Sequence, residues 1–334
     1  MRKKGKAILI GAGPGDSGLL TRKGAQRLET ADVVIYDALV QRDLLDLVSP
    51  EASVHFVGKR SNQHAVSQEK LNELLIKEAK KGKVVVRLKG GDPFCLGRGG
   101  EEAAALADAG IDFEIIPGVS SAIAVPAYAG IPLTHRGSAS GYAVVTGHED
   151  SSKKEEPVDW QALAKFRGTL VILMGVKRIR SIAASLIKYG RNPETPAALI
   201  QWGTIGRQKS LKATLSSIAE RVETEGFEAP AVIVIGEVVK FHKQLSWFEK
   251  LPLIGKRIVV TRSRNQADGF SMLLRDSGAQ VLEIPTIRIE IPLNRQGIVD
   301  VLLSLNSYDW LVFTSANGVR RFFDFFFKSF DDIR

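Results

Sequence analysis

Residues 84–102 read Val84-Val85-Val86-Arg87-Leu88-Lys89-Gly90-Gly91-Asp92-Pro93-Phe94-Cys95-Leu96-Gly97-Arg98-Gly99-Gly100-Glu101-Glu102. The stretch opens on a β-branched apolar run, the composition of a buried strand at 84–88. It closes on an alanine-rich segment, 101–109, that reads as a helix. The connection between them is rich in glycine and broken by Asp92-Pro93. Glycine loses the most conformational entropy on ordering, so an ordinary connection has no reason to concentrate it. In open α/β sheets, ligands sit at the carboxyl ends of the strands. This loop occupies such an end. An Asp side chain and free backbone amides there suit a zwitterionic, sulfonium-bearing ligand.

A second loop of the same kind, Gly11-Ala12-Gly13-Pro14-Gly15-Asp16, follows the strand candidate 6–10. A dinucleotide fingerprint needs a third glycine where Asp16 sits, and Asp16 instead sets a negative charge beside any pyrophosphate. No Gly-Lys-Ser/Thr follows, so the loop is not of the Walker A type. Two readings remain: close approach of a ligand to the backbone, or a plain strand-to-helix turn. Residues 117–122 and Met174-Gly175 repeat the theme.

Strand candidates at 6–10, 33–36, 54–57, 84–88 and 113–116 alternate with helical patterns. The clearest helix is 67–81, where Leu71, Leu74, Leu75 and Glu78 follow the i, i+3, i+4, i+7 template with one polar miss. Such alternation predicts a doubly wound α/β domain with a mostly parallel sheet. A second α/β series has strands at 142–146, 169–174, 197–201 and 231–235, with helices near 179–189 and 215–222. Residues 147–157 read as an exposed polar loop. A third series starts at Gly255: strand 257–261, helix 267–277, strand 280–284, helix 295–305, strand 310–314 and helix 316–327. The expected division is 1–135, 136–245, a linker at 246–254, and 255–334.

Composition narrows the function. The 334 residues are 44% hydrophobic and 25% charged, which excludes wholesale disorder. One cysteine, Cys95, excludes an internal disulfide framework and a Cys-rich zinc site. No apolar run approaches the roughly 18 residues that span a bilayer. The basic start at 1–4 precedes an apolar stretch too short for a signal peptide, so a cytoplasmic protein with no membrane partner is expected. The five histidines show no metal-ligand spacing, and no metal is expected. The net charge is +9, of which residues 1–250 hold +7 (35 Lys+Arg against 28 Asp+Glu). The charge is dispersed and aromatics are only 7%, which argues against nucleic acid. A generally basic surface or an anionic small-molecule substrate accounts for it.

Eight segments together resemble a known family. They are 11–16, Ala31-Asp32-Val33-Val34-Ile35-Tyr36-Asp37, Val57-Gly58-Lys59-Arg60, 90–102, Pro117-Gly118-Val119-Ser120-Ser121-Ala122, Ala129-Gly130-Ile131-Pro132-Leu133-Thr134-His135-Arg136, Thr146-Gly147-His148 and 234–239. Through them the chain resembles the tetrapyrrole methylases, and among these the uroporphyrinogen-III C-methyltransferases, over about residues 5–250. The resemblance implies two α/β domains with the active site in the cleft between them, and a homodimer. It implies S-adenosylmethionine as methyl donor, leaving as S-adenosylhomocysteine. The implied reaction methylates uroporphyrinogen III at C2 and then C7, giving precorrin-2 by way of precorrin-1, for siroheme or cobalamin-type pathways.

The resemblance also implies roles. Asp37 becomes the catalytic base and Lys59 a proton donor or electrostatic partner. Arg98 and Arg136 become partners for substrate carboxylates. Pro14, Gly90, Gly91, Asp92, Cys95, Ser120, Ser121, Met174 and Gly203 become cofactor contacts. Chemistry agrees with these roles. A carboxylate beside an electron-rich pyrrole stabilises the developing cation and takes the departing proton. Guanidinium suits the acetates and propionates of the substrate. Taken alone, the same residues have plainer readings. Asp37 caps a helix beginning at Ala38, Lys59 is a surface lysine, Arg98 precedes a helix, Arg136 is solvated, and Met174 is core. Cys95 reads as packing, with no base beside it in sequence. A nicotinamide oxidoreductase is the competing enzyme class, opposed by Asp16.

Residues 255–262, 278–281, 285–287 and 310–319 resemble the opening of uroporphyrinogen-III synthase, an α/β enzyme, over about its first third. The expectation is an incomplete synthase segment with exposed strand edges. It is expected to be inactive, and bifunctional only if the rest is supplied elsewhere. Phenylalanines at 322, 323, 325, 326 and 327 are an aggregation liability if uncovered.

Overall fold

The structure, a computed structural model, describes residues 4–58, 66–148, 158–262, 264–286 and 296–330. The apolar runs of the first lobe pair into one parallel sheet. Its elements are β1 (Lys6–Gly11), α1 (Arg22–Glu29), β2 (Val33–Tyr36), β3 (Ser53–Phe56), α2 (Gln68–Lys80), β4 (Val84–Lys89), α3 (Gly99–Asp108) and β5 (Asp112–Ile116). The strand order is β3-β2-β4-β1-β5, all parallel. Side chains alternate across the pleat. Ile8, Ile10, Val86 and Leu88 bury on one face with Leu28 of α1. Ala7, Leu9, Val33, Ile35 and Val85 bury on the other with Leu71 and Leu75 of α2 and Leu106 of α3. Thr21 and Ser67 cap α1 and α2, their hydroxyls accepting from the Gly24 and Lys70 amides. Such a cap is worth about 1 kcal/mol.

The second lobe carries α4 (Ser121–Tyr128), β6 (Tyr142–Thr146), α5 (Trp160–Lys165), β7 (Thr169–Leu173), α6 (Ile179–Lys188), β8 (Pro196–Gln201), β9 (Lys209–Thr214), α7 (Ile218–Thr224), β10 (Ala231–Ile235) and α8 (His242–Leu245). Its sheet runs β6-β7-β10-β8-β9. Only β6 and β7 are parallel; the other pairings are antiparallel. Strand β9 was not expected from the sequence. It is a polar edge strand whose one fully buried side chain is Leu211, so it lacks the apolar run of its neighbours. Helix α4 packs on this second sheet: Ala122, Val125, Ala129 and Ile131 bury against Val171, Leu173, Val232 and Val234. By packing, the second lobe therefore starts after β5, ahead of the expected divide at 135/136.

The third unit has β11 (Arg257–Val260), α9 (Arg264–Asp276), β12 (Gln280–Glu283), α10 (Gln296–Leu303) and α11 (Ala316–Ser329). Strands β11 and β12 form a parallel pair. The expected strand at 310–314 does not form, and Trp310 is 85% exposed. A strand needs a ladder partner, and residues 310–314 pair with none of the described strands. The phenylalanines of α11 stack along one side, with Phe322–Phe326 centroids 6.2 Å apart and Phe326–Phe330 4.9 Å apart. Phe326 is buried while Phe327 stays exposed. This unit abuts the second lobe: the Gly255 amide donates to the Gly206 carbonyl at 2.6 Å. A Cβ at Gly206 would lie 2.5 Å from the Gln280 nitrogen. Among the described residues, no helix is long and apolar enough to cross a membrane.

Candidate active site

Three loops leave the carboxyl ends of β1, β4 and β5 and meet backbone to backbone. Gly13 and Gly91 exchange amide hydrogen bonds of 3.2 and 2.6 Å. A Cβ at Gly118 would lie 2.3 Å from the Gly91 carbonyl oxygen and 2.6 Å from the Gly11 Cα. Side chains of any size are excluded there, so the glycines are a condition of the approach. Asp92 ties the loops together. Its Oδ1 accepts from the Phe94 and Cys95 amides at 2.8 and 2.9 Å, and its Oδ2 from the Gly118 amide at 3.0 Å. The carboxylate expected to contact the cofactor is thus already engaged by three backbone donors. Ser120 caps α4 and lies 3.5 Å from the Cys95 sulfur.

The second lobe closes over these loops and encloses a cavity of about 540 Å³, within the usual range for small-molecule sites. All nine residues expected at a cofactor line this one cavity: Pro14, Gly90, Gly91, Asp92, Cys95, Ser120, Ser121, Met174 and Gly203. Met174 is 52% exposed, so it is not core. Five non-glycine residues among those described adopt left-handed φ: Leu96 (56°), Arg98 (57°), Met174 (57°), Trp202 (50°) and Thr204 (69°). Leu96, Met174 and Trp202 line the cavity, and the other two adjoin lining residues. Strained backbone of this kind persists where surrounding structure over-determines it, typically at ligand sites.

Asp16 does not face a phosphate. Its Oδ2 accepts from the Tyr128 hydroxyl at 2.6 Å, and its own amide donates to Thr204 Oγ1 at 3.0 Å. The Thr204 amide donates to Gln208 Oε1 at 2.8 Å, and Gln208 Nε2 to Glu249 Oε1 at 2.9 Å. A continuous polar chain therefore joins the first loop, the second lobe and residue 249. Burial, then the Asp16 carboxylate, pushes the Tyr128 phenol up, so it stays a proton donor.

Asp37 ends β2. No helix begins at Ala38, which corrects the capping reading. Instead Asp37 Oδ1 accepts from the Leu39 amide at 3.2 Å in a local turn, a conformation that short carboxylates favour. Its Oδ2 lies 3.3 Å from Arg87 Nη2. Leu39 and Gln41, two and four residues on, line the cavity, and Asp37 itself does not. Arg98 is exposed and forked onto Glu101, at 2.9 and 2.8 Å. That pairing pushes its guanidinium pKa further up. Arg136 is exposed in the loop between α4 and β6 and does not line the cavity. Lys59 lies outside the described residues. Leu39, Val125, Trp202 and Ile205 line the cavity without a signal in the sequence, because only the tertiary fold brings them there.

Comparison with known proteins places this geometry. Residues 6–219 match the family profile described as tetrapyrrole (corrin/porphyrin) methylases. Residues 268–334 match that of uroporphyrinogen-III synthase. A uroporphyrinogen-III C-methyltransferase of Bacillus subtilis (strain 168) is 45% identical over 322 residues, which is 96% of this chain; the chain spans 66% of that relative's length. Another of the same name and organism is 50% identical over 247 residues, 73% of this chain and 95% of the relative. The crystal structure of uroporphyrin-III C-methyl transferase from Thermus thermophilus, complexed with S-adenyl homocysteine, is 39% identical with a TM-score of 0.61. It covers 71% of this chain and 99% of its own.

Proposed function

The chain belongs to the tetrapyrrole (corrin/porphyrin) methylase family, and from that premise we propose that it methylates uroporphyrinogen III, using S-adenosylmethionine, at C2 and then C7. The product is precorrin-2, by way of precorrin-1, and S-adenosylhomocysteine is released. The observation that carries the reading is the gathering of nine residues from both lobes around one cavity at the carboxyl ends of a parallel sheet.

The cavity fits the donor. Its size suits a nucleoside-sized ligand, and the bare backbone of Gly90 and Gly91 in its lining lets a ligand approach closely. Apolar walls such as Leu173, Val176 and Ile200 exclude water. Bound there, the cofactor supplies a methyl group on a sulfonium, already a good leaving group. The protein supplies alignment, which by itself accounts for much of a group-transfer rate.

Every pyrrole of the substrate carries acetate and propionate, so the carbon that accepts the methyl holds no proton. The proton must leave from elsewhere on the macrocycle. Asp37, bonded to the amide of the lining residue Leu39, stabilises the cationic ring and receives that proton. Lys59 serves as proton donor or electrostatic partner. Arg98 and Arg136 meet substrate carboxylates, Arg98 sharing its fork with Glu101. The reading includes a homodimer in the cytoplasm and working domains of 1–135, 136–245 and 255–334. The third unit contributes no synthase activity by itself: β11 and β12 are a lone pair of strands with Val259 and Leu282 exposed.

The test incubates purified protein with uroporphyrinogen III and methyl-labelled S-adenosylmethionine. Two labelled methyls per tetrapyrrole are expected, and an unlabelled tetrapyrrole overturns the reading. Conversion of hydroxymethylbilane to uroporphyrinogen III would overturn the inactivity of the third unit.

A further inference from the structure

We infer that Arg87 is a positioning residue, which fixes the Asp37 carboxylate through their ion pair and is itself held by Glu102. The inference rests on the role proposed for Asp37 above.

Arg87 and Lys89 lie on β4, between β1 and β2. They share a face with Val85, the face covered by α2 and α3. Both are buried, and Glu102 on α3 is fully buried. Burying charges in a core commonly takes more free energy than their pairing returns, and apolar residues of similar volume often do better. Stability therefore does not account for this cluster.

Its geometry points outward. Lys89 Nζ and Gln68 Nε2 donate to Glu102 Oε1 at 2.6 and 3.3 Å, and Arg87 Nε approaches the same oxygen at 3.4 Å. Arg87 Nη1 donates to the Ile35 and Leu88 carbonyls at 3.4 and 3.0 Å. Those contacts leave Nη2 for Asp37 Oδ2 at 3.3 Å. Side-chain exposure rises along the line from Glu102 (0%) through Arg87 (5%) to Asp37 (27%). The two anions and two cations cancel. Asp37 is the most exposed of the four, and its Oδ1 is already held by the amide of Leu39, which lines the cavity. Both carboxylate oxygens are thus oriented before any substrate arrives, which a group that must meet a proton at a defined ring position requires. Burial and the neighbouring Arg87 push the Lys89 ammonium down, and Glu102 opposes them.

The experiment is a double-mutant cycle in the full chain with Arg87→Met and Asp37→Ala, reading kcat, KM, S-adenosylhomocysteine affinity and melting temperature. Arg87→Met is expected to lower kcat by about 10- to 100-fold with cofactor affinity unchanged. In the Asp37→Ala background it is expected to cause no further loss, since residues acting as a unit are not additive. Arg87→Lys keeps the charge on a single nitrogen without the guanidinium fork and is expected to recover part of the turnover. It also provides the same cycle where the Met variant does not fold. Losses that multiply in the double variant, or an undiminished kcat in Arg87→Met, overturn the inference. Full turnover by Asp37→Ala overturns it together with the role of Asp37. An unaltered chain that never methylates the tetrapyrrole marks failure of the proposed function itself.

Discussion

Gly118→Ala tests the claim that three backbones meeting without side chains build the floor of the cavity. If nothing moved, the added Cβ would lie 2.3 Å from the Gly91 oxygen, 2.6 Å from the Gly11 Cα and 2.7 Å from the Gly11 carbonyl carbon, all of them backbone atoms. Relief to ordinary contact requires a shift of about 1 Å in loops that cannot rotate a side chain aside. Overpacking of this kind destabilises by about 1–3 kcal/mol, and the rigid neighbours put this case at the upper end. For a protein of this size, about 2–3 kcal/mol lowers Tm by roughly 3–4 °C. The shift also stretches the bond from the Gly118 amide to Asp92, 3.0 Å long, which aligns the cofactor loop. If the ligand must restore half of that strain, S-adenosylhomocysteine binds about tenfold more weakly, since about 1.4 kcal/mol is a factor of ten. Calorimetric titration and thermal melting measure both effects. Gly100→Ala is the control, because nothing lies within 4 Å of its Cβ and it sits inside α3; it is expected to bind normally and melt no lower. Wild-type affinity and Tm in Gly118→Ala would refute the reasoning.

Three further outcomes are expected. Tyr128→Phe removes the donor to Asp16, a bond to a charged group worth about 1.5–3 kcal/mol, and should weaken cofactor binding several-fold while leaving the first-lobe core intact; unchanged binding by titration would show that the polar chain between the lobes is idle. Glu114 accepts from Lys23 and Lys6, which hold its carboxyl down at about 2 from an ordinary 4.5. A depressed carboxyl stabilises the fold above its unfolded value and loses that contribution as pH falls toward 2. With Lys23 largely in solvent, Glu114→Gln should reduce stability at pH 7 by about 1 kcal/mol, and the difference should vanish near pH 2; an equal deficit at both pH values in denaturant titrations would contradict it. Asp37→Ala should lower turnover by about 100-fold or more while cofactor affinity stays the same; equal turnover would reduce Asp37 to a turn former.

The buried strands were legible because parallel strands covered on both faces are apolar runs, and β1, β2 and β4 are such runs. Strand β9 was not, because an edge strand with two lysines, a serine and a threonine among its six residues looks like a loop. Residues 310–314 carry strand-like composition, yet composition does not supply a ladder partner. The cofactor loops were legible through their glycines and through family resemblance together. Trp202, Thr204 and Tyr128 were not, because their place depends on the second lobe folding over the first. Arg87 escaped notice for a different reason. Within Val-Val-Val-Arg-Leu-Lys it looks like the frayed polar end of a strand, and only its partners on α3 and β2 show that the charge is buried.

The seam at Gly206 carries a consequence for how such chains can be recombined. That glycine belongs to the lobe that closes the cavity, but the space its side chain would need is taken by the backbone of residues 278–280. Freedom to vary position 206 is therefore set by a neighbouring module and not by the lobe that contains it. A methylase half transplanted from a free-standing relative with any larger residue at this position would fold on its own and still clash with the third unit. Grafts that keep residues 202–208 together with 255–283 preserve the fit, and grafts that cut between them break it.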